Sequence, residues 1–179
     1  MHDVLWLKDA NLMDNPTRIL FVYAMPKGTD YLDKIKEEID YIKLRILDGY
    51  NSRNRDYTTN TYDHIDITNF DTVIRDFQPD IVHFTGHGTK SGLVFQYGDP
   101  ITAKQLKDLF RGKNPIQLLF LNACYSYDQV SELIEDQDSI KYIIGNEDEI
   151  SEDNAKDFAI FFTSITKRKK IFQRHTLMQ

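Results

Sequence analysis

Residues 80–88 read DIVHFTGHG, a short apolar strand pattern that runs directly into glycine, histidine and glycine. Residues 116–124 read IQLLFLNAC, a second apolar run that ends at the single cysteine of the chain. Continuous apolar runs of this length are typical of strands buried on both faces of a parallel sheet. Both unusual motifs therefore lie at the carboxyl end of a predicted buried strand, where functional residues collect in such sheets.

The remaining sequence alternates between strand and helix patterns. Strands are predicted at 18–25, 57–66, 80–85, 92–97, 116–123 and 140–144, and helices at 30–49, 69–77, 103–112, 127–135 and 151–166. Alternation of this kind implies parallel strands joined by right-handed helical crossovers. We therefore expect an α/β fold, a three-layer α/β/α sandwich with a mostly parallel central sheet.

Composition narrows the class of protein. The chain has 179 residues, of which 41% are hydrophobic and 12% aromatic, enough for one domain with a sizeable core. Its net charge of −6 argues against a direct nucleic-acid partner or an anionic membrane surface. One cysteine excludes an intramolecular disulfide and cysteine-rich zinc modules. No apolar run approaches the roughly 18 residues of a membrane span, and the start lacks a signal-peptide pattern, so we expect a cytoplasmic protein with no membrane partner.

The turn cluster at residues 14–17 (DNPT) sets the expected domain boundary. Residues 1–17 are predicted to be an N-terminal extension, and residues 18–179 are predicted to form a single domain. No internal repeat or low-complexity segment interrupts the chain.

Cys124 and His87 together suggest thiol chemistry. Hydrolysis of a peptide bond by a thiol requires a thiolate, a proton donor for the leaving amine, and hydrogen-bond donors for the oxyanion. Cys124 is the one candidate nucleophile, and His87 is expected to take its proton or form an ion pair with it. The amides of Gly88 and Cys124 are expected to form the oxyanion hole. Spacing alone leaves open a small buried cysteine and a histidine that only packs.

The two motifs resemble the signature of CHAT-domain proteins, bacterial caspase-like cysteine peptidases of the caspase, separase and clostripain clan. The resemblance is carried by PDIVHFTGHG (79–88) and LLFLNACYS (118–126), and it extends over roughly residues 18–166. It implies a caspase-like sheet and a cysteine endopeptidase with a His87–Cys124 dyad and no metal or organic cofactor. It also implies a protein or peptide substrate, a regulatory sensor protein or fused module, and a role in bacterial defence or programmed cell death.

The resemblance also suggests residues that select the substrate. Tyr125 and Ser126 follow the cysteine and are expected to shape the substrate groove, as the matching residues do in relatives. In clan relatives that cleave after basic residues, an acidic side chain lies near the end of the strand that matches 140–144. Asp148 or Glu149 is therefore expected to favour Lys or Arg before the scissile bond. The alternative is that these acidic residues only complement the dipole of the following helix.

Three other interpretations remain open from the sequence. His83 lies on the same strand face as His87, but no adjacent third ligand completes a metal site, so a packed or hydrogen-bonded histidine is expected. The chain is alternatively a catalytically silent caspase-like adaptor that docks a partner protein. A nucleotide-binding loop at residues 86–89 is disfavoured, because GLVF (92–95) follows it instead of a helix whose N-terminus could hold phosphate.

Overall fold

The computed structural model describes most of the predicted sheet and the helices that cover it. The residues described are 17–24, 35–44, 57–63, 65–95, 100–133, 139–147, 149, 151, 154, 156 and 157. The strands are β1 (Thr17–Ala24), β2 (Tyr57–Tyr62), β3 (Ile81–Gly86), β4 (Gly88–Thr89), β5 (Gly92–Val94), β6 (Pro100–Ile101), β7 (Leu118–Asn122) and β8 (Ile143–Gly145). The helices are α1 (residues 35–44), α2 (Ile67–Phe77), α3 (Ala103–Phe110) and α4 (Ser126–Leu133).

Five strands form the central sheet in the order β2-β1-β3-β7-β8, and each neighbouring pair is parallel. The prediction of an α/β fold with a mostly parallel sheet is confirmed. Strands β4, β5 and β6 form a separate antiparallel sheet that begins two residues after β3. This small sheet accounts for the GLVF pattern, which sequence reasoning assigned to an accessory strand.

Each face of the central sheet is covered by helices. On one face, strand residues such as Val22, Phe84 and Leu121 pack with apolar side chains of α2, α3 and α4. On the other face, a smaller cluster joins β1 and Phe120 to α1. The apolar side chains that α1 contributes there are Ile35, Ile39 and Ile42. Their spacing of three and four residues places them on one side of a helix, which is why α1 lies flat against the sheet.

Capping residues set the helix boundaries. The side chain of Asp66 accepts a hydrogen bond from the Asn69 amide, so α2 begins two residues before the predicted start at 69. The helix ends at Phe77, and the capping residue Gln78 has a left-handed φ of 49° directly before Pro79. Thr102 and Gln105 form a capping box at the start of α3.

Several sequence predictions differ from the structure at their edges or lie outside the described residues. β7 begins at Leu118 instead of 116, because Ile116 forms only an isolated bridge with Ile140. Of the predicted helix 151–166, positions 154, 156 and 157 are helical. Residue 151 is described and is not helical. The other residues of that helix, residues 1–16 and both ends of the helix predicted at 30–49 lie outside the described residues. Among the described residues, no helix combines the length and the apolar character needed to cross a bilayer.

An ion pair between Asp71 and Lys113 ties α2 to the residues after α3. The hydrogen bond from the Lys113 ammonium lowers the pKa of Asp71 below its ordinary value of 3.8, and the charges of Lys113 and Arg75 add to this effect. A lowered pKa in the folded state means that the carboxylate stabilises the fold above its unfolded pKa. This contribution is lost as the pH falls through the lowered value.

We predict that Asp71→Asn lowers the free energy of unfolding near neutral pH by less than about 1 kcal/mol, because the Asp71 carboxylate is partly exposed to water, which screens the pair. The difference from the wild type should disappear in acid, below the lowered pKa. Urea titrations at several pH values measure both results. Asp76→Asn, on the same helix, is the control and should show a smaller pH-dependent difference. A difference for Asp71→Asn that grows in acid would contradict the prediction.

Candidate active site

The pairing of β3 with β7 brings the histidine and cysteine motifs together. The two strands are parallel, and their last registered pair is Thr85 opposite Asn122. His87 and Cys124 each lie two residues beyond this pair, at the carboxyl edge of the sheet. Both residues are half-buried, which leaves part of each side chain accessible.

The loop after β3 lies directly against the cysteine. A Cβ atom placed on Gly88 would be 1.9 Å from the carbonyl oxygen of Cys124, a distance that no side chain tolerates. A Cβ atom on Gly86 would be 2.4 Å from the carbonyl oxygen of Ala24 on β1. Glycine on both sides of His87 is therefore required by backbone contact with two neighbouring segments.

The small antiparallel sheet fixes the backbone next to His87. The Val94 amide donates to the His87 carbonyl at 2.9 Å, and Gly88 is registered opposite Leu93. Hydrogen-bonded and non-hydrogen-bonded pairs alternate along an antiparallel ladder, so Gly88 occupies a non-hydrogen-bonded position. The β4–β5 ladder therefore leaves the Gly88 amide directed away from β5.

A sharp turn follows Cys124 and leads into α4. Tyr125 has a φ of 52°, a left-handed conformation that costs roughly 1–2 kcal/mol for a residue with a Cβ atom. Ser126 is completely buried, and its hydroxyl lies 2.9 Å from the Leu121 carbonyl and 2.8 Å from the Ala123 carbonyl. The Asn146 amide donates to the same hydroxyl at 2.8 Å. Ser126 thus anchors the strained turn to β7 and to the residue after β8.

Charged and aromatic side chains surround the turn. The Tyr125 hydroxyl donates to Glu149 Oε1 at 2.9 Å, and the Lys90 ammonium lies 5.6 Å from the centre of the Tyr125 ring. Glu149 is exposed. Of the residues expected to select the substrate, Tyr125 and Glu149 are therefore in contact, whereas Asp148 lies outside the described residues.

A buried polar network lies beneath the motifs, on the α1 side of the sheet. Glu38 of α1 is 3% exposed, and its Oε1 lies 2.8 Å from His83 Nε2. Thr85 Oγ1 donates to the same oxygen at 3.1 Å. Asn122 Nδ2 donates to Oε1 and Oε2 at 3.3 and 3.2 Å. His83 is therefore a hydrogen-bonded buried histidine, the alternative that the sequence favoured over a metal ligand.

Sequence reasoning missed Glu38, although a signal was present. Position 38 is three residues after Ile35 and four before Ile42, so it falls on the apolar side of α1. A carboxylate at such a position indicates a buried partner, since buried charges are almost always paired. The partners come from β3 and β7, which no local pattern in α1 identifies.

Negative charge is concentrated on this side of the sheet. Burial raises the pKa of Tyr23 far above its usual range, and the charges of Asp40, Glu38 and Asp63 raise it further. Tyr23 therefore stays neutral throughout the physiological range.

Within the described ranges, no three His, Cys, Asp or Glu side chains are grouped so that they could hold a metal ion.

The comparisons with known proteins assign the family. The model of the CHAT domain matches residues 12–141, well over half of the chain, and the chain belongs to the CHAT domain family. A Roc-COR-CHAT protease from an unknown prokaryotic organism is 28% identical over 130 residues, which cover 65% of this chain and 12% of that protein. The chain thus spans a small part of the length of this curated relative. The resemblance read from the sequence motifs is confirmed at the level of the family.

A solved structure shares the fold. It is the X-ray structure of a secreted C11 cysteine protease from Bacteroides thetaiotaomicron in complex with an irreversible peptide inhibitor. The TM-score is 0.53 at 13% identity, and the match covers 82% of this chain and 53% of that chain. At this identity the likeness concerns the fold alone, and it agrees with the expected caspase-like architecture.

We predict that Gly88→Ala disrupts the site, because the added methyl group collides with the Cys124 carbonyl oxygen. The loop and the turn at Cys124 must separate, which should change the rate at which iodoacetamide alkylates Cys124. Intact-mass spectrometry measures this rate on the single cysteine. Gly112→Ala is the control: its φ of 71° also disfavours alanine, but no atom lies within 4 Å of the new Cβ. Equal alkylation rates for Gly88→Ala and the wild type would contradict the prediction.

Proposed function

We propose that this chain is a cysteine endopeptidase domain in which His87 and Cys124 form the catalytic dyad. The observation that supports the proposal is the β3–β7 register, whose last pair, Thr85 opposite Asn122, lies two residues before His87 and Cys124. Membership of the CHAT domain family and the protease names of both relatives agree with this activity.

The proposed mechanism is acyl transfer through the thiol. His87 takes the proton from Cys124 Sγ, and the thiolate attacks the carbonyl carbon of the scissile peptide bond. The tetrahedral oxyanion accepts hydrogen bonds from the Gly88 and Cys124 amides. When the C–N bond breaks, His87 gives its proton to the leaving amine. A water molecule, deprotonated by His87, then hydrolyses the thioester and returns the thiol.

One local feature supports the proposed oxyanion hole. The β4–β5 ladder does not use the Gly88 amide, which is one of the two proposed donors. The mechanism requires no metal and no organic cofactor.

The proposed substrate is a protein or peptide with Lys or Arg before the scissile bond. Glu149 supplies an exposed carboxylate beside Tyr125, which directly follows the nucleophile. Asp148 is proposed to contribute to the same pocket, and Tyr125 to form one wall of the groove. Ser126 is proposed to shape the groove indirectly, since its hydroxyl is engaged with the backbone of Leu121, Ala123 and Asn146.

A regulatory partner is also proposed. The name of the curated relative joins CHAT to Roc and COR, and this chain corresponds to 12% of that protein. We therefore propose that a sensor protein or fused module controls the peptidase domain. The family resemblance further suggests a role in bacterial defence or programmed cell death, and we also propose that the chain acts in the cytoplasm.

The dyad is tested by Cys124→Ala and His87→Ala, each checked for folding by circular dichroism. Cleavage of a peptide library containing Lys and Arg should fall by several orders of magnitude in both variants, because the nucleophile or its base is absent. His87→Ala should also slow alkylation of Cys124 near neutral pH. Cleavage that persists in either variant would contradict the proposed dyad.

A wild-type chain whose Cys124 resists a peptidyl chloromethyl ketone, but which binds a partner protein tightly, would instead support the adaptor alternative.

We predict that Glu149→Gln lowers kcat/KM for peptides with Lys or Arg before the scissile bond by roughly fivefold. The estimate corresponds to about 1 kcal/mol for one exposed charge pair. Peptides with a neutral residue at that position should be cleaved at the wild-type rate. Glu147→Gln, also an exposed carboxylate of this segment, is the matched control. If Glu149→Gln affects basic and neutral peptides equally, Glu149 does not select the substrate.

A further inference from the structure

We propose that Glu38 is a positioning residue for the dyad: its buried carboxylate joins β3 to β7 directly below His87 and Cys124. The inference rests on the proposed function and adds to it a third group from a different element. Glu38 touches neither reacting side chain in this proposal. It acts through the two strands that carry them.

The contacts connect three elements through one carboxylate. His83 and Thr85 of β3 contact Oε1, and Asn122 of β7 contacts both oxygens. Each of these residues is at most 5% exposed. The network is therefore removed from water, where hydrogen bonds are strong and an unpaired group is costly.

The groups that face the Glu38 carboxylate can all donate to it. The Thr85 hydroxyl donates to Glu38, so its oxygen can accept from His83 Nε2, which lies 2.8 Å away. His83 Nε2 then carries a proton that it shares between Thr85 and Glu38. With Asn122 Nδ2, every polar group facing the carboxylate is a donor, which is the arrangement an ionised carboxylate requires.

The network is next to the dyad along both strands. Thr85 precedes His87 by two residues and Asn122 precedes Cys124 by two residues, and Thr85 and Asn122 are themselves the registered pair. Side chains two residues apart point to the same side of a strand. A shift of Thr85 relative to Asn122 would therefore be passed to His87 and Cys124.

An apolar side chain would be expected at position 38 unless the residue there fixes the separation of β3 and β7. The neighbouring α1 side chains on this face, Ile35, Ile39 and Ile42, are apolar and pack in one cluster with Phe21 and Phe120. A buried ionic network often gives no more stability than apolar residues of the same volume. Hydrogen bonds have fixed directions and lengths, whereas apolar contacts permit sliding, so the network defines the separation of β3 and β7 more tightly.

The experiment compares Glu38→Met, which keeps the volume and removes the acceptor, with Glu38→Gln, which retains an acceptor oxygen. Glu37→Met is the matched control, because Glu37 is the preceding residue of α1 and its carboxylate pairs with Lys156 at the surface. Two kinds of measurement are made on protein that circular dichroism shows to be folded. The first gives kcat and KM for a peptide substrate, and the second gives the pH dependence of Cys124 alkylation by iodoacetamide.

Glu38→Met should lower kcat on the order of 10- to 100-fold with KM changed by no more than about threefold, because misplacement of the dyad affects the chemical step. Its alkylation profile should move toward that of His87→Ala. Glu38→Gln should recover most of both properties, and Glu37→Met should match the wild type. A merely structural role would reduce the folded fraction without moving the alkylation profile of the folded protein.

Thr85→Val decides the matter if Glu38→Met does not fold. It replaces one hydroxyl with a methyl group of similar size and removes the hydrogen bonds of that hydroxyl to Glu38 and His83. It should change kcat and the alkylation profile in the same direction, to a smaller extent. Wild-type kcat and a wild-type alkylation profile in a folded variant of either kind would overturn the proposal.

Failure of this inference is distinguishable from failure of the proposed function. If His87→Ala changes the alkylation profile and Glu38→Met does not, the dyad stands and the positioning role is wrong. If His87→Ala leaves the profile unchanged, the dyad itself is wrong, and the positioning role falls with it.

Discussion

The parallel pairing of β3 with β7 is the constraint on which the candidate site depends. Each strand leads to one residue of the candidate dyad, and the proposed chemistry needs both the thiol and its base. The backbone register sets Thr85 opposite Asn122, two residues before His87 and Cys124. Because side-chain direction alternates along a strand, a shift of one residue would turn one member of the pair to the opposite face.

The close backbone contact at Gly88 and the backbone strain at Tyr125 both act on the position of Cys124. Gly88 lies so near the Cys124 carbonyl that no Cβ atom fits between them. Tyr125 adopts a left-handed conformation immediately after the cysteine, and the buried Ser126 hydroxyl bonds the turn to the carbonyl oxygens of Leu121 and Ala123. Strain of this kind persists only where the surrounding structure enforces it, and it is concentrated at functional sites. Here it ends the strand abruptly and leaves the cysteine at the sheet edge.

The buried carboxylate of Glu38 adds a polar element to an otherwise apolar layer. It accepts hydrogen bonds from β3 and β7 at the level just below the candidate dyad. The proposed dyad and this network share the same two strands. His83, four residues before His87, is hydrogen-bonded to Glu38 in this network.

The sequence by itself determined the strands of the central sheet, the described helices, the class of fold and the two motifs, because these follow from local periodicity, capping and glycine chemistry. Asp66 and Thr102 show how far such local signals reach, since their side chains fix helix starts within a few residues. Only the tertiary structure decided the strand order, the short strands β4 and β6, and the contacts of Glu38. Contacts between α1 and Asn122 join residues 84 positions apart, and no local pattern encodes which distant strand a helix will meet.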